Sequence, residues 1–99
     1  MKKLKSGDIL FSRTTQNESI VFFYQVIRST TSTCEVREIR KDIKTQLHDE
    51  QEVVPVKNAF TSGPLRRRVL PSGCIKIEEE LYAWAWDGKS QWQSILIYI

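Results

Sequence analysis

The chain has 99 residues, of which 40% are hydrophobic, 10% aromatic and 27% charged, enough for one small domain and too apolar for a disordered one. Fifteen Lys and Arg against twelve Asp and Glu leave a net charge of +3, which permits nucleic-acid binding without requiring it and argues against an acidic DNA mimic. No apolar run approaches the ~18 residues of a membrane span, and two cysteines, Cys34 and Cys74, are too few for a multi-bridge disulfide scaffold. The basic start, Met1 to Asp8, lacks the apolar stretch of a secretory signal. The expectation is a cytoplasmic protein with reduced thiols and no membrane partner.

Val, Ile and Thr together number 24 while Ala occurs three times, which favours pleated strands over helices. A first short strand is expected over Ile9–Ser12, entered through Ser6-Gly7-Asp8, with a polar loop from Arg13 to Ser19. Ile20 to Arg28 is the strongest strand. Its even positions Ile20, Phe22, Tyr24 and Val26 are apolar, and its odd positions Val21, Phe23 and Ile27 are apolar except Gln25, so burial on both faces is predicted. Ser29 to Thr33 reads as a turn of hydroxyl residues. Cys34 to Lys41 returns as the partner strand. Cys34 and Val36 on one side and Ile39 on the other suggest a bulge near Arg37 or Glu38, and Ile43, Thr45 and Leu47 continue the alternation.

Val53-Val54-Pro55-Val56 is a short strand, with Pro55 at an edge because it has no N–H to donate. Asn58 to Phe60 is compatible with a single helical turn. Leu65 to Leu70 is a strand between the turns Ser62-Gly63-Pro64 and Pro71-Ser72-Gly73, and the last long segment begins at Cys74 or Ile75. Within it, Asp87-Gly88 flanked by strand-like sequence is a strong signal for a two-residue hairpin. That register sets Trp86 opposite Lys89, Trp84 opposite Gln91 and Tyr82 opposite Gln93. It turns Tyr82, Trp84 and Trp86 outward, and Leu81, Ala83, Trp92 and Leu96 inward. A helix over 78–86 fits less well, because aromatics two residues apart do not share one helical face. The apolar end, Ser94 to Ile99, is expected to close the barrel, enter the core or pair with another chain. The architecture predicted is all-β: a single domain over residues 1–99, a small SH3-like barrel of about five to seven mainly antiparallel strands.

The stripe Tyr82, Trp84, Trp86 beside Lys89 and Gln91 suits base stacking. Packing under a loop or against a protein partner are the competing readings. Arg66 and Arg68 project together from their strand and suit phosphate or carboxylate, with Glu78 to Glu80 as an equally available internal partner. Arg67 shares a side with Leu65 and Val69, at the rim of the core. A lone histidine, His48, and cysteines 40 residues apart do not make a metal site. Each of the four glycines lies at a turn, so no phosphate loop is present. A Cys–His pair has nothing to orient it. The protein is therefore expected to be a non-enzyme without cofactor or metal, a monomer or homodimer.

Several blocks occur in a suggestive order: Gly7-Asp8-Ile9-Leu10-Phe11-Ser12, Phe23-Tyr24-Gln25-Val26, Val36-Arg37-Glu38-Ile39, Val54-Pro55-Val56-Lys57-Asn58-Ala59-Phe60 and Trp86-Asp87-Gly88-Lys89. As a set they resemble a family of small proteins encoded by phages, prophages and plasmids. Those relatives carry a Trp-Gly-aromatic stretch in the first loop, where this chain reads Ser12-Arg13-Thr14-Thr15-Gln16-Asn17-Glu18. The resemblance implies a mobile-element accessory protein. Its expected partner is nucleic acid or a host protein or nucleoprotein complex, the second as an anti-CRISPR-like inhibitor of a host defence system.

Overall fold

The computed structural model describes residues 4–14 and 20–94 and is all-β. Eight strands run in chain order: β1 (Ile9–Arg13), β2 (Val21–Ser29), β3 (Thr33–Gln46), β4 (Glu50–Phe60), β5 (Leu65–Arg68), β6 (Ile75–Glu78), β7 (Leu81–Ala85) and β8 (Gln91–Ser94). All pairings among them are antiparallel.

Six of these strands close into a barrel. β1 pairs with β2, β2 with β3, and the first residues of β3 with β5. β6 pairs with β7, and β7 returns to β1. The ring is completed between β5 and β6 by one bridge, Val69 to Ile75. Alternation then points one face of every strand inward. Leu10, Tyr24, Val26, Cys34, Val36, Ile75, Ile77 and Ala83 fill the interior, with Leu65, Val69 and Leu81 packed against them. Arg67 sits at the rim of this core. Its Nε donates to the Ile77 carbonyl at 2.9 Å, so a guanidinium bonds the seam where the two strands part.

The other face of β1 and β2 is also covered. The far half of β3 leaves the barrel and pairs with β4, which pairs with β8. This arm gives the molecule its long axis of 43 Å against 26 and 25 Å. Val21, Phe23, Ile39 and Val53 form a second core beneath it, with Ile9, Phe11 and Trp86 alongside. β2 is thus buried on both sides, as its two apolar faces required. The polar exception, Gln25, is only 6% exposed. Its amide donates to Asn58 Oδ1 at 2.8 Å and accepts from Asn58 N at 2.7 Å. Asn58 is left-handed (φ 68°). It lies in a bulge where one residue of β3, Arg40, faces four of β4, between the pairs Ile39–Phe60 and Lys41–Pro55. A bulge within β4 therefore replaces the helical turn expected over 58–60.

The β2–β3 register slips between Val26 and Arg28, so the extra residue is Ile27 on β2 and not Arg37 or Glu38 on β3. Ile39 faces away from Cys34 and Val36 because β3, too, serves both cores. β8 ends its pairing with β4 at Val53, which leaves Pro55 on an unpaired edge as its missing N–H demands.

The largest departure concerns the Asp87-Gly88 turn. The turn forms: Gly88 has φ 87° and Lys89 N donates to Asp87 Oδ1 at 2.9 Å. It does not make a hairpin of β7 with β8. Both edges of β7 are already occupied, by β6 and β1, so the chain crosses to the free edge of β4. The hairpin partner of β7 is β6, through a Glu79-Glu80 turn with Glu80 at φ 62°. β8 is docked by polar contacts. Gln93 is buried, and its Oε1 accepts from Val21 N at 3.1 Å and Lys41 Nζ at 2.8 Å, while Lys41 also donates to Val21 O at 2.6 Å. With Gln93 inward, Trp92 points outward and is 38% exposed, the reverse of the inward orientation expected. Burial lowers the pKa of Lys41. Glu52 ties the arm together, accepting from Thr45 Oγ1 at 2.8 Å and from Ser90 Oγ. Leu96 and the rest of 95–99, like most of the Arg13–Ser19 loop, lie outside the described residues.

Replacing Gln93 by Leu adds apolar area yet strips the acceptor from Val21 N and the Lys41 ammonium. A loss of about 1–3 kcal/mol is expected in urea unfolding. Burial pushes the Cys34 thiol from 9.0 to about 11. Between those values the folded state holds the proton that the unfolded state has released, so stability is full below pH 9.0 and falls as pH rises toward 11. Cys34→Ala should remove that part of the decline, read as a flatter unfolding midpoint against alkaline pH.

Candidate functional site

The outward side chains of the barrel wall follow from the inward ones. Cys34 and Val36 face the core, so Thr33, Glu35 and Arg37 face out. On β5, Arg66 and Arg68 are exposed while Leu65 and Arg67 are half-buried. On β6, Ile75 and Ile77 are buried, which leaves Lys76 and Glu78 outside. On β7, Ala83 is buried and Tyr82 and Trp84 are 38% and 47% exposed. All these outward groups share one convex surface.

Register fixes their order. Thr33 pairs with Arg68 and Glu35 with Arg66. The Val69–Ile75 bridge sets Arg68 and Lys76 at facing positions across the seam. Lys76 pairs with Tyr82. Arg68, Lys76 and Tyr82 therefore stand in a row across three strands, with neighbours about 4.8 Å apart in the sheet direction. Trp84 lies two residues along β7 and pairs with Phe11 of β1. Arg66 and Arg68 do not adjoin β7 directly: β6 lies between, and Lys76 is the cation that links them to the rings. The alternation Ile75-Lys76-Ile77 carries that information in the sequence, although a single lysine makes no charge run. Lys76 also meets Glu79 at 3.2 Å, an exposed pair of small energetic weight. Arg66 and Arg68 have no ion pair with Glu78–Glu80 among the described residues.

The aromatic stripe divides. Tyr82 and Trp84 are open to solvent. Trp86 is half-buried against the second core, edge-on to Phe23 with ring centroids 6.2 Å apart. Its Nε1 donates to the Lys89 carbonyl at 2.6 Å, which fixes the ring and holds Lys89 beside it. Gln91 stays at the margin, its Nε2 donating at 3.2 Å to the same Lys89 carbonyl that Trp86 bonds. It pairs with Val53, and its Oε1 accepts from Arg13 at 3.1 Å. The contact face expected from the hairpin thus has Tyr82, Trp84, Arg66 and Arg68 on the outer wall, with Trp86, Lys89 and Gln91 together at its margin.

A groove of about 420 Å³ opens at that margin. Trp84, Ala85 and Trp86 form one wall, and Asp8, Ile9, Ser72 and Gly73 line the rest together with Leu4 and Gly7. Among the described residues no group of three or more His, Cys, Asp or Glu is placed to hold a metal. Both cysteines are buried, and Cys34 keeps its proton at neutral pH. Among the described residues no helix is long and apolar enough to cross a membrane. Neither protein-family models nor curated proteins nor solved structures yield a match to the chain.

The two tryptophans should separate by stability. Trp84→Ala is expected to change the unfolding free energy by less than about 0.5 kcal/mol, as for other exposed positions. Trp86→Ala should cost about 2–3 kcal/mol through lost packing on Phe23. Urea titrations of the two variants check this.

Proposed function

We propose that this protein is a non-enzymatic binding module that contacts nucleic acid through the convex face carrying Arg66, Arg68, Lys76, Tyr82 and Trp84. The observation that carries the reading is the row Arg68–Lys76–Tyr82, which places cations within a strand spacing or two of an exposed ring. Guanidinium and ammonium groups suit phosphate oxygens, and exposed aromatics stack on bases for about 1–3 kcal/mol each. The net charge of +3 favours a polyanionic partner. The acidic turn Glu78 to Glu80 bounds the face at one end and disfavours phosphate there. The resemblance of the sequence blocks to phage, prophage and plasmid proteins supports a mobile-element setting in a host cytoplasm.

A second reading, an anti-CRISPR-like inhibitor that binds a host protein, is favoured by a different surface. Ile43 and Leu47, at the tip of the β3–β4 arm, are 55% and 49% exposed. A pull-down from host lysate with and without nuclease separates the two. Capture lost after nuclease supports the nucleic-acid reading, and capture that persists through nuclease but is lost in Ile43→Ser/Leu47→Ser supports the protein partner.

If three cations each neutralise one phosphate, log affinity should fall against log salt with a slope of about −2 to −3. Arg66→Ala/Arg68→Ala should lower the steepness by roughly 1.5. Fluorescence anisotropy of a labelled oligonucleotide over a salt series measures both, and a slope near zero sinks the reading.

A further inference from the structure

We infer that the end of the β3–β4 arm of one copy docks on the basic wall of a second copy, head to tail. The inference does not rest on the nucleic-acid reading, although both use the wall with Arg66, Arg68 and Lys76. Some surface charges are answered within the chain. Arg28 meets Glu35 at 3.3 Å and Arg40 meets Asp42 at 3.4 Å. Two unanswered surfaces of opposite sign are left. The end of the arm, residues 43–53, carries three carboxylates, Asp49, Glu50 and Glu52, against one cation, Lys44. Hydrogen bonds from Ser90 and Thr45 lower the pKa of Glu52, which keeps it ionised. The same end exposes Ile43 and Leu47. On the wall, Arg66 and Arg68 are exposed and meet no carboxylate among the described residues, and Tyr82 and Trp84 are exposed beyond Lys76. One pole thus joins negative charge to aliphatic side chains, and the other joins positive charge to rings.

The signs select the arrangement. Arm against arm sets Asp49, Glu50 and Glu52 against their own copies. Wall against wall does the same with Arg66, Arg68 and Lys76. Like charges in contact oppose association. Arm on wall alone brings opposite signs together, and it lets Ile43 and Leu47 leave water against Tyr82 and Trp84. The acidic turn Glu78 to Glu80 steers the arm toward Arg66 and Arg68. The contact does not form within one molecule. Pairing of β3 with β4 and of β4 with β8, with the Lys41 bonds to Val21 O and Gln93, holds the arm in line with the sheet. A contact between two unlike surfaces leaves one arm and one wall free, so copies add in a row or close into a ring. A wall covered by an arm is closed to other ligands, so self-association competes with any binding there.

The test is sedimentation equilibrium of the full chain, freed of nucleic acid, from about 20 to 500 μM protein in about 50 mM salt, where surface charges are weakly screened. The weight-average mass should rise with concentration beyond that of a dimer, and return to the monomer at about 1 M salt. Two variants separate the surfaces: Leu47→Ser/Glu50→Gln on the arm and Arg66→Ala/Arg68→Ala on the wall. Each alone should associate at least about ten-fold more weakly than the parent chain. Mixed in equal amounts, they should form a heterodimer and nothing larger, because one supplies an intact wall and the other an intact arm. Its dissociation constant should lie within about three-fold of the parent value. A parent chain monomeric throughout, a variant that still associates like the parent, or a mixture that stays monomeric would overturn the inference. Association unchanged in the wall variant alone would reveal an arm-to-arm contact instead.

Discussion

Burial of β2 on both faces is the constraint from which the architecture follows. Tyr24 and Val26 look into the barrel, while Val21 and Phe23 look the other way. A six-stranded barrel can cover only the first pair. The second pair needs another layer, and the far half of β3 supplies it by turning away with β4 and collecting β8. Each side chain of Phe23 size removed from water contributes about 1.5–3 kcal/mol, so the outer face of β2 is too costly to leave wet in a domain this small. Gln25 fits the scheme because it meets the polar backbone of a bulge that an apolar residue would leave unsatisfied.

Much of this was legible in the residues. The double alternation of Ile20 to Arg28 announces a two-sided strand, whereas the even-odd split of Cys34, Val36 and Ile39 suggests a bulge on β3 where the strand in fact serves both cores. The edge position of Pro55 followed from its missing donor. The failures share one cause: local signals do not reveal which edges are already taken. Asp87-Gly88 is a genuine turn, but the strand before it had no free edge to offer. Glu79-Glu80 carries no turn residue, so the real hairpin of β6 and β7 was hidden inside what read as one long strand. The inward side of β8 was misassigned for the same reason. Gln93 is buried because Lys41 and Val21 N await it, and those partners are distant in sequence.

The candidate site shows the same division. That Tyr82, Trp84, Arg66 and Arg68 point outward follows from strand alternation alone. Their mutual placement does not, because it depends on the intervening β6 and on a bridge formed by residues outside both strands. Trp86 belongs to the packing as well as to the margin of the candidate face. It anchors the end of β7 to Phe23 and lines the groove with its remaining surface, so one ring joins the second core to the margin of the candidate face.

The seam between β5 and β6 bears on how that surface behaves. A single bridge and the Arg67 guanidinium join two strands that elsewhere would share a ladder. The panel with Arg66 and Arg68 is firmly bonded to β3, and the panel with Lys76 and Tyr82 to β1 through β7. Between them lies the most sparsely bonded line of the barrel wall. Small flexing there would alter the reach from charge to ring without disturbing either core.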